Sequence, residues 1–152
     1  MRAIYLVMLT FLAASLVQAL DVDDGYVRGM PPGQSTTAAF MTLTNTGQEA
    51  VVLTGGSSPV ANAVEVHEHS HVDGMMRMRQ VERLELAPGE SVDLRPGGYH
   101  LMFFGLKQVL AEGDEVELVL QYASGEEQAL KLPVYSVLTE KQRKSKESGN
   151  GR

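Results

Sequence analysis

The sequence contains no cysteine, and this absence excludes several kinds of metal centre. Blue-copper centres, iron–sulfur clusters and zinc ribbons all depend on thiolate ligands. Disulfides are excluded as well, so a folded domain must be held together by its core. Tryptophan is also absent, and 152 residues suffice for one domain with a modest core.

The formal net charge of −6 is unevenly distributed along the chain. An acidic body does not fit the basic footprint of nucleic-acid binding, so we expect no nucleic-acid partner. The segment after Leu138 contains no apolar residue and is rich in Lys and Arg. We therefore expect residues 139–152 to form a disordered basic tail that does not contact a membrane.

The first residues have the layout of a secretory signal peptide. Arg2 precedes an apolar run of about 15 residues, and Val17-Gln18-Ala19 precedes an abruptly acidic segment. The run is shorter than the roughly 20 residues that span a bilayer. We expect residues 1–19 to be removed after Ala19. A retained membrane anchor is the alternative, and a lipid anchor has no cysteine to carry it.

Glycine and proline turn signals divide the rest of the chain into short β-branched or alternating runs. No segment shows an apolar stripe of helical period. The pattern predicts one all-β domain, a sandwich or barrel, over residues 20–138. The predicted strands are 38–45, 51–54, 64–69, 91–94, 99–104, 116–122 and 128–134.

All four histidines lie between positions 67 and 100. Side chains alternate between the two faces of a strand. With Val64 and Val66 facing the core, His67, His69 and His71 face outward, provided that no loop after His69 ends the strand.

Methionines accompany these histidines. Met76 and Met78 share a face in a strand and Met75 takes the other, so at least one points away from the core; any single one could still fill a core gap. His100 and Met102 are one residue apart, which places their Cα atoms about 6.5 Å apart on one face.

Thioether and imidazole together select a soft ion, and copper(I) is the one that suits both. Zinc or copper(II) would instead prefer His67, His69 and His71 with a nearby carboxylate. The sequence therefore predicts a copper(I) site near the surface and leaves open a second site for a harder ion.

The spacing His67-x10-Met78-x21-His100-x-Met102 resembles that of the PCu(A)C family of exported bacterial copper chaperones. The short sequence segments around these residues match those of the family as well, from Val64-Glu65-Val66 to Gly105-Leu106-Lys107. The resemblance implies a cupredoxin-like Greek-key β-sandwich with His67, Met78, His100 and Met102 as copper(I) ligands.

The resemblance also implies a role: copper binding in the periplasm and delivery for cytochrome c oxidase assembly. The acceptor would be the copper-site subunit of the oxidase or a thioredoxin-like copper chaperone. Some members add a copper(II) site in a His/Met-rich tail. This tail has neither residue type, so His69 and His71 are the candidates for copper(II).

Three other functions are alternatives to delivery. A copper buffer or resistance protein would need the same ligands. A copper redox enzyme or electron carrier is disfavoured by the missing cysteine and by having only four histidines. A structural β-sandwich module would bind no stoichiometric copper. The sequence contains no hydrolytic constellation and no phosphate-binding glycine loop, so we expect a protein that is not an enzyme. We also expect it to be a monomer.

Overall fold

The computed structural model describes residues 20–149, so the expected signal peptide lies outside the described residues. The described part holds ten strands and one helix. They are β1 Asp21–Arg28, β2 Thr36–Thr44, β3 Val51–Ser57, β4 Ala63–Val72, β5 Met75–Gln80, β6 Leu84–Leu86, β7 Ser91–Leu94, β8 Tyr99–Phe104, β9 Glu115–Tyr122, β10 Glu127–Tyr135 and α1 Val137–Gly149.

All seven predicted strands are present, and each end lies within three residues of its expected position. Strand β4 continues past His69 to Val72, so its outward register is not interrupted. Strands β1, β5 and β6 are additional to the predicted set. Within the described residues, no helix is long and apolar enough to cross a membrane.

The strands form a β-sandwich whose two layers belong to one continuous hydrogen-bonded sheet. Their order is β5-β4-β8-β7-β2-β1-β10-β9-β3-β6, and further pairings join β4 to β3 and β8 to β2. Six of these eleven pairings join strands that are not consecutive in the chain, so the connections cross over repeatedly. The all-β single-domain prediction is confirmed.

The core lies between the layers and is built by alternation. In β9, Val116, Leu118 and Leu120 are buried, whereas Glu115 and Glu117 face solvent. The same alternation of core-facing and outward-facing side chains occurs in the strands that carry the histidines. Val64 and Val66 of β4, and Leu101 and Phe103 of β8, all face the core. The residues between them therefore lie on the outer face of the sheet.

The prediction of a disordered tail is wrong for the described residues, which form helix α1. Ser136 caps this helix: its hydroxyl accepts a hydrogen bond from the backbone N–H of Thr139 at 3.3 Å. Glu140 is 5% exposed and makes a two-pronged ion pair with Arg28, at 2.8 and 2.7 Å. The guanidinium of Arg143 lies 4.8 Å from the ring centroid of Tyr135. Polar side-chain contacts therefore hold the helix against the strands, in place of the apolar side chains that this segment lacks.

Candidate metal centre

Strand β8 supplies the most buried member of the candidate site. Because Leu101 and Phe103 are fully buried, His100 and Met102 point to the outer face, where His100 is nevertheless only 3% exposed. The Nδ1 atom of His100 is 3.2 Å from the carbonyl oxygen of Gly98. A carbonyl oxygen only accepts hydrogen bonds, so Nδ1 carries the proton in this arrangement. Its Nε2 atom then keeps a free electron pair.

The Nε2 atom of His100 faces the thioether of Met78, with an N–S distance of 3.2 Å. Met78 reaches this position from β5, which pairs with β4 in a hairpin. Met78 lies directly opposite His69 in that hairpin. The rings of His69 and His100 have centroids 5.0 Å apart. Two imidazoles and a thioether therefore converge on one place.

A cavity of about 220 Å³ opens beside these groups. His69, Met78, His100 and Met102 all line it, together with Arg28 and Phe40. Three of the four residues predicted from the family spacing therefore share one cavity. The fourth predicted residue, His67, does not line it, and His69 does. The period of two had placed both histidines on this face, without indicating their distances from Met78.

His67 lies next to the cavity without lining it. It is opposite His100 in the pairing of β4 with β8, and the two ring centroids are 6.1 Å apart. Its Nε2 atom makes a 2.8 Å contact with the carboxylate of Glu65, and its ring packs on Phe104. The Glu65 contact occupies Nε2 and leaves Nδ1 as the ring atom that is open to an ion.

Two buried nitrogen atoms in this group have no hydrogen-bond partner among the described residues. They are the Nδ1 atoms of His67 and His69. A buried polar atom without a partner costs about 1–3 kcal/mol of desolvation free energy. Such atoms are rare in folded proteins, and each calls for an explanation. A bound ion that accepts an imidazole electron pair is an explanation that fits both.

The electrostatic environment favours neutral ligands. Burial lowers the pKa of His100, against the opposing effect of its hydrogen bond to Gly98, and the nearby His69, His67 and Arg28 lower it further. His100 is therefore uncharged at neutral pH, as metal ligation requires. Its Nε2 atom is available without a proton having to leave.

The donor set itself indicates which ion fits. Among residues 20–149, no cluster of three or more His, Cys, Asp or Glu side chains has the geometry to hold a metal. The cavity instead combines imidazole nitrogens with the thioethers of Met78 and Met102, and this set suits a soft ion. His71, the remaining histidine, is exposed two residues further along β4. Arg28, which forms part of the cavity wall, carried no recognisable signal in the sequence.

Comparison with known proteins gives the class of this fold. The PCuAC domain of PmoF2, in its copper-bound form, superposes with a TM-score of 0.65 at 18% identity, covering 79% of this chain and 95% of that domain. Copper(I)-loaded DR1885 from Deinococcus radiodurans is 33% identical with a TM-score of 0.61, covering 77% of this chain and 80% of its own. The resemblance to PCuAC proteins and the cupredoxin-like β-sandwich are thereby confirmed.

The chain belongs to the LpqE-like family, because the sequence profile of that family matches residues 20–134. The family is described as one of lipoproteins. The protein Lxx21020 of Leifsonia xyli, also named as a lipoprotein, is 30% identical over 103 residues, or 67% of this chain and 62% of its own length. RP573 of Rickettsia prowazekii is 32% identical over 85 residues, or 55% of this chain and 47% of its own length. This chain thus spans less than two thirds of either relative.

Proposed function

We propose that this protein is an exported copper(I) chaperone that binds one copper ion at the outer face of the sheet. The observation that carries the proposal is the 3.2 Å approach of Met78 Sδ to Nε2 of His100 beside a cavity that Met102 also lines. With the His100 proton on Nδ1, facing the carbonyl of Gly98, Nε2 and Sδ are two electron-pair donors with no proton between them. A soft cation that binds both would relieve their mutual repulsion.

The proposed ligands are His67, Met78, His100 and Met102. His67 is included because of the family spacing, and its unpartnered Nδ1 atom supports a role in binding. Its Nε2 atom contacts Glu65, so Nδ1 is the atom proposed to bind the ion. His69 lines the cavity and is the competing candidate for the fourth position. The separate assignment of copper(II) to His69 and His71 stays a prediction.

The proposed mechanism is ligand exchange without catalysis. All four ligands are neutral, so the ion is held by no ligand charge and can leave as a monovalent cation. Met78 belongs to an exposed strand and is itself 48% exposed, so an acceptor can reach the site from that side. Acceptor thiolates would displace the neutral ligands in turn. A periplasmic location, a monomeric state and an acceptor in cytochrome c oxidase assembly belong to the same proposal.

Anaerobic copper(I) titration against a competing chelator tests the site. We expect one tightly bound copper per chain, with both sulfur and nitrogen ligands in the X-ray absorption spectrum. The variants His100→Ala and Met102→Leu should each weaken binding by at least about tenfold, or about 1.4 kcal/mol. Wild-type affinity in both variants would refute the ligand assignment. A larger loss in His67→Ala than in His69→Ala identifies His67 as the fourth ligand, and the reverse order identifies His69.

Delivery and storage are separated in the cell. Deletion of the gene should lower oxidase activity, and added copper should restore it, if the protein delivers copper. Sensitivity to added copper with normal oxidase activity would instead favour a buffer or resistance protein. The exposure of Met78 favours delivery, because a storage site gains from being closed to competing thiolates.

A further inference from the structure

The hairpin formed by β4 and β5 extends beyond the core of the sandwich. Along β4, the core-facing positions Val64 and Val66 are followed on the same face by Glu68, Ser70 and Val72, which are not buried. Every residue of β5 is exposed. The tip is a two-residue turn at Asp73 and Gly74, with φ angles of 51° and 75°. Positive φ at both positions defines the turn type that best matches the twist of a hairpin.

The register of this hairpin aligns histidines with methionines. His69 lies opposite Met78, and His71 lies opposite Met76. Directly opposed side chains share a face, with Cβ atoms about 4.5–5.5 Å apart. The second pair lies two residues further out, or about 6.5–7 Å from the first. The outer face therefore carries two successive imidazole–thioether pairs, and the proposed four-ligand site uses only Met78 of these four residues.

Core packing does not account for the outer pair. Met76 is 56% exposed, and His71 is exposed as well. A methionine that fills a gap in a core would be buried, so that interpretation of Met76 does not apply. One imidazole and one thioether are again a neutral, soft donor set. Met75, on the opposite face and opposite Val72, has no histidine across from it.

We propose that His71 and Met76 form an outer copper(I) site that is weaker than the inner site. This proposal rests on the proposed function, because it takes copper(I) to be the ion that the protein carries. The ion would be captured from solvent by two ligands at the tip. It would then pass inward by exchange of one imidazole and one thioether for the next pair, His69 and Met78. No electron is transferred and no covalent bond within the protein changes.

Anaerobic titration of the full chain with copper(I) tests this proposal, using two chelators of different strength to resolve a tight and a weak step. The wild type should show both steps. His71→Ala and Met76→Leu should each abolish the weak step and retain the tight one. Met75→Leu is the matched control, because it removes an equally exposed thioether from the same hairpin and should retain both steps.

The two steps are read separately, so the outcomes are distinguishable. Absence of the weak step in the wild type overturns the outer site and leaves the inner one standing. Loss of the weak step in Met75→Leu also overturns it, because binding would then depend on methionine number and not on pairing. Absence of the tight step in the wild type refutes the proposed function and, with it, inward transfer.

Discussion

The ion pair between Arg28 and Glu140 is expected to decide whether helix α1 stays docked. The change Glu140→Gln removes the negative charge and replaces one of two accepting oxygens, which lie 2.7 and 2.8 Å from the guanidinium. Breaking a fully buried pair costs about 3–5 kcal/mol and an exposed pair less than about 1 kcal/mol. The side chain of Glu140 is 6% exposed and that of Arg28 is 29% exposed. We therefore expect a cost of about 1–3 kcal/mol.

This cost should appear as undocking of the helix and not as unfolding of the sandwich. The two apolar residues at the start of α1, Val137 and Leu138, are 45% and 71% exposed, so little apolar burial holds the helix. Hydrogen exchange of the α1 amides should accelerate by about 5- to 150-fold, with exchange in β8 and β9 unchanged. Glu147→Gln, which neutralises an exposed carboxylate in the same helix, should leave the exchange rates at wild-type values.

A double-mutant cycle with Arg28→Met isolates the pair from other effects of each substitution. A coupling free energy of about 1 kcal/mol or more between Arg28 and Glu140 is expected. If exchange in Glu140→Gln matches that in Glu147→Gln, or if the coupling energy is zero within error, the ion pair does not hold helix α1 in place.

The pH dependence of docking follows from the same pair. Burial by itself would raise the pKa of Glu140, but the hydrogen bond and charge of Arg28 outweigh it and hold the pKa below its ordinary value. A carboxyl group with a lowered folded-state pKa stabilises the fold above its unfolded pKa, and that contribution is lost as pH falls through the folded pKa. The helical circular dichroism signal should therefore be constant down to about pH 4.5 and decrease below it.

Two further predictions concern single positions. Asn45 is fully buried, and its side-chain amide donates to the carbonyls of Glu49 and Leu86 at 2.7 and 3.0 Å. Asn45→Ala should therefore lower the free energy of unfolding by about 1–3 kcal/mol and the Tm by about 3–12 °C. A Tm equal to that of the exposed-site control Thr46→Ala would contradict this. Gly74→Ala meets no atom within 4 Å, but at φ +75° a side chain costs about 1–2 kcal/mol. Amide exchange in β5 should therefore accelerate while the core is unaffected; unchanged exchange would show that the turn does not hold the hairpin.

Alternation of side chains made much of the candidate site predictable. In β4 and β8 the buried Val66 and Leu101 fix the inner face, so the outward direction of His67, His69 and His100 follows from the sequence. Direction does not give distance, however. Which histidine approaches Met78 depends on the register between β4 and β5, and register is set by pairing across strands.

The elements that were missed lack the patterns on which such predictions depend. Strand β1 begins with acidic residues and contains Asp24 at φ 52°, where its pairing with β2 shifts register. Strand β5 is exposed throughout, so it has no alternation to detect. The docking of α1 depends on Arg28, which is 112 residues from Glu140 in the chain. Side-chain ion pairs over such separations leave no periodic trace in a sequence.

Strand β5 stands at one end of the strand order, so its outer edge is open to pairing with another chain. An open edge with three exposed methionines would favour self-association. Arg77 separates Met76 from Met78, Arg79 follows Met78, and charged residues at a sheet edge oppose edge-to-edge aggregation. The hairpin can thus present thioethers to solvent without offering an uninterrupted apolar edge to a second copy of the protein.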